Sequence, residues 1–201
     1  MARRLTQRGR ERRQQLMDYA ARRFAENGYH PTSVAEIVQG LGVGKGVFYW
    51  YFDSKEQLFL EILRDAQQDL RRAQQQAIAD AQDPVRKIEL GLRASMRWSA
   101  EHRDVNKLIQ FAATEDRFAP ALRRGQDVAV GDITKIVKEA IAQGEIRDSD
   151  PLMLAHAILG VTAQLARVFV HEQGADPEEV ADAAVAFVLK GLGALDRSRG
   201  V

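Results

Sequence analysis

The sequence predicts an all-α fold on three observations. Apolar residues recur at helical spacing, alternating β-branched runs are absent, and proline is scarce while glycine falls mostly at segment ends. Breaks at "ENGYHPTS", "GLGVG", "YFDSKE", "AQDPV", "EHRDV", "TEDRFAP", "AQGEIRDSDP" and "HEQGADPEE" divide the chain into about nine helices. The first runs from about Arg10 to Asn27, with Leu16, Ala20 and Phe24 as its buried stripe and Gly28 suited to its C-cap. Ser33 with Glu36 three residues on resembles a capping box, opening a short second helix to Gln39. A turn, Gly40-Leu41-Gly42, separates it from a third helix capped at Gly44. There Phe48 and Phe52, four apart, point inward, while Lys45, Tyr49 and Trp50 face outward. A long fourth helix starts at Asp53 or Ser54 and runs to about Ala81, with Leu58, Ile62, Ala66, Ala73 and Ala77 on its inner face. It would reach roughly 35–40 Å at the usual rise per residue. Five more follow, near 84–101, 104–114, 118–143, 151–172 and 177–195. The expected organisation is a three-helix head, residues 1–52, and a helical body, residues 53–201.

The chain has 201 residues, 45% hydrophobic and 28% charged, enough for a sizeable core. It has no cysteine, which excludes a disulfide framework, a thiolate nucleophile and a Cys-based metal site. No apolar run approaches the roughly 20 residues of a membrane span, and no apolar signal core follows the basic N-terminus. A cytoplasmic protein without a membrane partner is therefore expected. The net charge of +1 hides an asymmetry. Residues 1–52 carry nine Lys and Arg against four Asp and Glu, whereas residues 53–201 carry 20 against 24. A basic head on an acidic body suggests an anionic partner for the head.

"GVGKGVFYWYF", Gly42 to Phe52, invites a phosphate-loop reading. The spacing rejects it. A Walker loop needs a glycine where Gln39 stands and Ser or Thr where Gly46 follows Lys45. The dinucleotide fingerprint also fails, because Val47 takes the place of its third glycine and no strand precedes. Two short helices joined by a tight glycine turn instead make a helix-turn-helix, whose second helix would enter the major groove of DNA. Gly46 inside that helix costs about 1 kcal/mol against Ala, a penalty that suits close backbone approach.

The run "FAENGYHPTSVAEIVQGLGVGKGVFYWYFDSKEQLF", Phe24 to Phe59, resembles the DNA-binding head of the TetR family of transcriptional regulators. Thr32, Ile37, Gly42, Gly46, Phe48, Tyr49, Tyr51, Phe52, Ser54, Lys55 and Leu58 fall in register with the family pattern. Two positions depart from it: Gly44 stands where Ser or Thr is usual, and Trp50 where His or another polar residue is common. The resemblance implies an N-terminal helix-turn-helix head and a C-terminal ligand-binding and dimerisation domain. It also implies a ligand-responsive regulator, expected to repress and to release a near-palindromic operator on effector binding.

In the head, Lys45 is the candidate for a base or phosphate contact. Val47 suits a thymine methyl, and Trp50 a shape or apolar contact. Tyr49 and Tyr51 are expected on phosphates. By the resemblance Lys55 holds backbone phosphate. Thr32 and Ser33 are read as caps of the second helix and candidate phosphate contacts, and Gly44 and Gly46, at the start of the third, as candidates for close approach to the duplex. Six arginines among residues 3–13, including Arg3, Arg4 and Arg8, read as a flexible arm following a groove, or as a solvated tail.

In the body, the helices near 151–172 and 177–195 have apolar arcs too broad for burial on one side. Ile158, Thr162, Leu165 and Phe169 on one, with Ala184, Phe187, Val188 and Gly191 on the other, are expected in a four-helix homodimer interface. The resemblance also implies a small-molecule pocket. Ser95, Trp98, His102, Gln110, Gln164 and Arg167 are candidate effector contacts, although core, surface or dimer contacts are the stronger reading of each.

No catalytic, cofactor or metal set is legible. No Glu has a His three residues on, the four histidines lack ligand spacing, and no nucleophile elbow is present. A second reading stays open, a helical adaptor whose basic head binds protein or anionic lipid.

Overall fold

The computed structural model describes residues 5–194; Arg3 and Arg4 of the expected arm lie outside them. The helices are α1 (Gln7–Asn27), α2 (Val34–Gly40), α3 (Lys45–Tyr51), α4 (Lys55–Ile78), α5 (Pro84–Glu101), α6 (Arg103–Ala113), α7 (Ala119–Ala142), α8 (Pro151–Leu165) and α9 (Pro177–Leu192). No strand occurs among the described residues.

Two compact units result. One holds the chain up to Gln67 together with Asp104–Leu122, and the other holds Gln68–Arg103 and the chain from Arg123 onward. These units divide the chain at other points than the expected functional boundary at 52/53.

The first unit packs around Leu16, Met17, Ala20, Phe24, Phe48, Phe52, Leu58 and Phe59, with Phe118 closing the cluster. Its first helix begins earlier than expected. Thr6 caps α1 by accepting from the Gly9 N–H at 3.2 Å, so Arg8 belongs to the first turn of a helix rather than to a flexible arm. Ser33 caps α2 as expected, accepting from the Glu36 N–H at 3.1 Å. The Glu36 carboxylate interacts in turn with the Ser33 backbone, as a capping box requires. It accepts from Arg23 Nε at 2.9 Å and thereby ties α2 to α1. The Arg23 hydrogen bond holds the Glu36 carboxyl below the usual carboxylate range. This tie is present above the ordinary carboxylate pKa and is lost as pH falls through the depressed one. A further contact brings the two helices together: a Cβ built on Gly40 would lie 1.8 Å from Tyr19 Oη.

The second unit has one core of Ile88, Leu92, Val137, Ala140, Ile158, Val185, Val188 and Leu192. A neighbouring cluster holds Met96, Ala166, Val170, Val180, Ala181 and Ala184. The helix expected over 151–172 is α only to Leu165 and continues as a π-helix, Ala166–Glu172. The wider π turns keep Ala166 and Val170 inside while Phe169 is 39% exposed. Within Pro151–Glu172 an 18-residue window reaches a mean hydropathy of 1.6, so the stretch is long and apolar enough to cross a membrane by length and composition alone. His156, Gly160, Thr162, Gln164 and Arg167 break the stretch, so it holds no unbroken apolar run of membrane-spanning length.

Gly40→Ala should therefore destabilise the head by roughly 1–3 kcal/mol, as overpacking does. Adding Tyr19→Ala should restore part of that loss, measured by urea unfolding; strict additivity of the two changes would contradict the contact.

Candidate nucleic-acid interface

The outer face of α3 is set by what its inner face buries. Phe48 is fully buried and Phe52, just past the helix end, is 1% exposed. They lie 5.7 Å apart, centroid to centroid. At helical spacing this turns Lys45, Tyr49 and Trp50 to solvent, and the two aromatics are 55% and 51% exposed. Gly44 is the N-cap, in extended backbone and with no side-chain hydrogen bond to the helix. Gly46 is exposed, and Val47 and Tyr51 are half-buried. Among the described residues, Lys45 makes no ion pair or hydrogen bond. The expected outer residues of α3 thus share one surface, with Ser33 exposed at the start of α2.

Two expected phosphate contacts do not belong to that surface. Thr32 is fully buried, and its hydroxyl donates to the Gly28 carbonyl at 2.8 Å and reaches that of Arg23 at 3.3 Å. It fastens the α1–α2 turn and is inaccessible to a duplex. Lys55 is equally committed. Its ammonium donates to the carbonyls of Tyr29 and Thr32 at 2.9 Å each and of His30 at 3.3 Å, and stands 4.4 Å over the Tyr29 ring. Burial, and then the charge of Arg117, push its pKa down. With three N–H bonds to carbonyls, no donor remains for phosphate.

In the body, the effector candidates separate. Trp98 is buried and donates from Nε1 to Asp69 on α4 at 2.8 Å, while the His102 ring stacks on it at 4.2 Å. The Trp98 N–H holds the Asp69 carboxyl below the usual range, helped by Arg72. Ser95 accepts from Gln74 of α4 and donates to the Gly91 carbonyl, both at 2.8 Å. These three candidates are brought together and joined to α4. The other three are not. Gln110 lies in the first unit and is exposed, Gln164 is exposed, and Arg167 pairs with Glu172.

Half of the expected dimer contacts are interior. Ile158, Ala184 and Val188 are buried in the chain's own core, and Thr162 is buried with its hydroxyl donating to the Ile158 carbonyl at 2.7 Å. Leu165 is half-buried. Phe169, Phe187 and Gly191 face outward, Phe187 with 67% of its surface exposed. Leu152 and Met153, at 53% and 67% exposed, join them unforeseen. No group of three or more His, Asp or Glu among the described residues could hold a metal ion.

A short helix presented by a buried aromatic anchor, behind a tight turn and a capped partner helix, defines a helix-turn-helix DNA-binding protein. Comparison with known sequences agrees. Residues 16–62 match the bacterial regulatory proteins of the tetR family, and residues 81–192 match the tetracyclin repressor-like C-terminal domain. The chain belongs to the TetR family of transcriptional regulators. It is 25% identical over 194 residues to the HTH-type transcriptional regulator YdgC of Bacillus subtilis, spanning 92% of this chain and 94% of that one. It is 29% identical over 194 residues to the HTH-type transcriptional repressor KstR2 of Mycolicibacterium smegmatis, spanning 90% of each. The fold is shared with the fatty acid degradation regulator FadR from Bacillus halodurans, with a TM-score of 0.84 at 17% identity, covering 96% of this chain and 100% of that one.

The two lysines should separate cleanly. Lys55→Met leaves carbonyls unpaired and should cost the head about 1–3 kcal/mol. Lys45→Ala should shift stability by less than about 0.5 kcal/mol. Urea unfolding of both variants checks this, and equal midpoints would contradict the assignment of Lys55 to the fold.

Proposed function

We propose that this regulator is a homodimeric repressor whose head, residues 1–52, reads operator DNA through the outer face of α3. The body, residues 53–201, pairs with a second copy and holds a small-molecule effector. The observation that carries the reading is the exposed Lys45–Tyr49–Trp50 face of α3, which belongs to the basic part of the chain. Lys45 contacts a base edge or phosphate, Tyr49 and Tyr51 reach phosphates, and Val47 and Trp50 supply apolar and shape contacts. The protein works in the cytoplasm, where the chromosome is.

Exposed Leu152, Met153, Phe169 and Phe187 on the α8 stretch and α9 support pairing by a two-fold contact. A dimer presents two α3 helices, hence a near-palindromic operator with half-sites about one helical turn or more apart. Helix α4 spans 24 residues, about 36 Å, and its residues beyond Gln67 belong to the second unit. Asp69 and Gln74 bind Trp98 and Ser95 of α5, so an effector that displaces those side chains moves α4. It changes operator affinity only in so far as it prefers one separation of the heads over the other.

Operator fragments recovered from genomic DNA by the purified protein provide the test. Lys45→Ala should bind them at least about tenfold more weakly, the scale of a lost specific contact, with the dimer intact. Phe187→Glu should yield monomers in sedimentation. A random duplex that competes as well as any recovered fragment would favour the adaptor reading instead.

A further inference from the structure

The segment that continues α8, Ala166–Glu172, winds as a π-helix, a form frequent at functional sites. Its end is closed by the Gln173 N–H on the Val168 carbonyl at 3.1 Å and the Ala175 N–H on the Phe169 carbonyl at 2.8 Å. Ala166 and Val170 join a small apolar cluster with Met96, Val180, Ala181 and Ala184, while Phe169 is exposed. His171 ties the segment to α5. Its Nε2 stands 2.7 Å from the hydroxyl of buried Ser99. The ring keeps part of its surface in solvent, yet its Nδ1 is buried with no hydrogen-bond partner, the one such side-chain nitrogen or oxygen among the described residues.

A neutral imidazole suits this place, with its proton on Nε2 and donated to Ser99. An imidazolium does not. It carries N–H on both nitrogens, and the one at Nδ1 becomes a buried charged donor with nothing to receive it. Among the described residues no carboxylate pairs with His171. Around the segment, Arg97 of α5 pairs with Glu178 of α9, Arg93 with Glu89 and Asp182, and Arg167 with Glu172. Asp176 caps α9, His102 stacks on Trp98, and Glu101, His156 and Glu179 are exposed. Burial, and then the like charge of Arg103 at the start of α6, push the His171 pKa below the ordinary histidine value.

We propose that His171 is a proton-operated latch on the π-helical segment. Neutral, it fastens the segment to α5; protonated, it leaves Ser99 and lets the segment go, so acid acts as a second signal on the regulator. The segment carries Phe169, so its release weakens the pairing of two copies. That consequence rests on the dimer reading above; the latch itself does not. The folded ring holds its proton less tightly than the unfolded one. The latch therefore contributes fully above the ordinary histidine pKa of about 6.5, and its contribution is lost as pH falls from there through the lower folded value.

The test follows urea unfolding midpoints and dimer dissociation constants, the latter by sedimentation, for wild type and His171→Gln from about pH 8 to about pH 5. Glutamine keeps a side-chain N–H for Ser99 and does not titrate. On acidification the wild-type midpoint should fall and the dissociation constant should rise several-fold, and both trends should be much smaller in His171→Gln. If the variant folds poorly, proton NMR of the wild type decides, with the other three ring signals assigned from variants at His30, His102 and His156. A His171 signal that titrates at or above the ordinary value, or equal pH dependence in wild type and variant, overturns the latch. A wild-type dimer whose dissociation constant ignores pH overturns its link to pairing. A chain that is monomeric at every pH overturns the dimer reading instead, and the unfolding data still decide the latch.

Discussion

The burial of Phe48 and Phe52 is the constraint on which the head depends. Two phenyl rings one helical turn apart enter a core built by α1 and α4, and seven residues of helix have no freedom left to rotate. A helix so short is unstable alone. It exists because its inner face is sequestered, and its outer face follows from that. The polar and aromatic side chains that point away are therefore held in one orientation before any ligand arrives, which lowers the ordering cost of binding.

Around that anchor, the cations of the head are shared between folding and recognition. Lys55 holds the α1–α2 turn by its carbonyls, Arg13 ties α1 to α4 through Glu61, and Arg23 ties α1 to α2 through Glu36. Among the described residues, Lys45, Arg8, Arg12 and Arg22 have no carboxylate partner, whereas Arg13 and Arg23 are neutralised by Glu61 and Glu36. The unneutralised cations contribute most of the head's field to the exterior.

The helical architecture was legible because period, caps and turn residues agree along most of the chain. Asp83, Asp150 and Asp176 each cap a helix opened by proline, so α5, α8 and α9 start where the pattern starts. The orientation of α3 was legible from Phe48 and Phe52 alone. The start of α1 was not, since a dense arginine run looks like a tail unless the Thr6 cap is weighed. The commitment of Lys55 was hidden because its partners are backbone carbonyls more than twenty residues earlier, which have no side-chain signature. The inner half of the expected dimer set was misplaced for a related reason. A wheel shows that α8 and α9 are apolar over a broad arc, but which part of the arc faces inward depends on the neighbouring helices. Asp69, which binds Trp98 from 29 residues away, is invisible in the same way.

Trp50 and Trp98 are the only two tryptophans, one 51% exposed on α3 and one buried in the body. The difference in acrylamide quenching between wild type and Trp50→Phe thus reports on the outer face of α3 alone. The account predicts that saturating operator DNA abolishes this difference, because the duplex covers Trp50. Quenching of Trp50 that persists unchanged in a fully formed protein–DNA complex would contradict it.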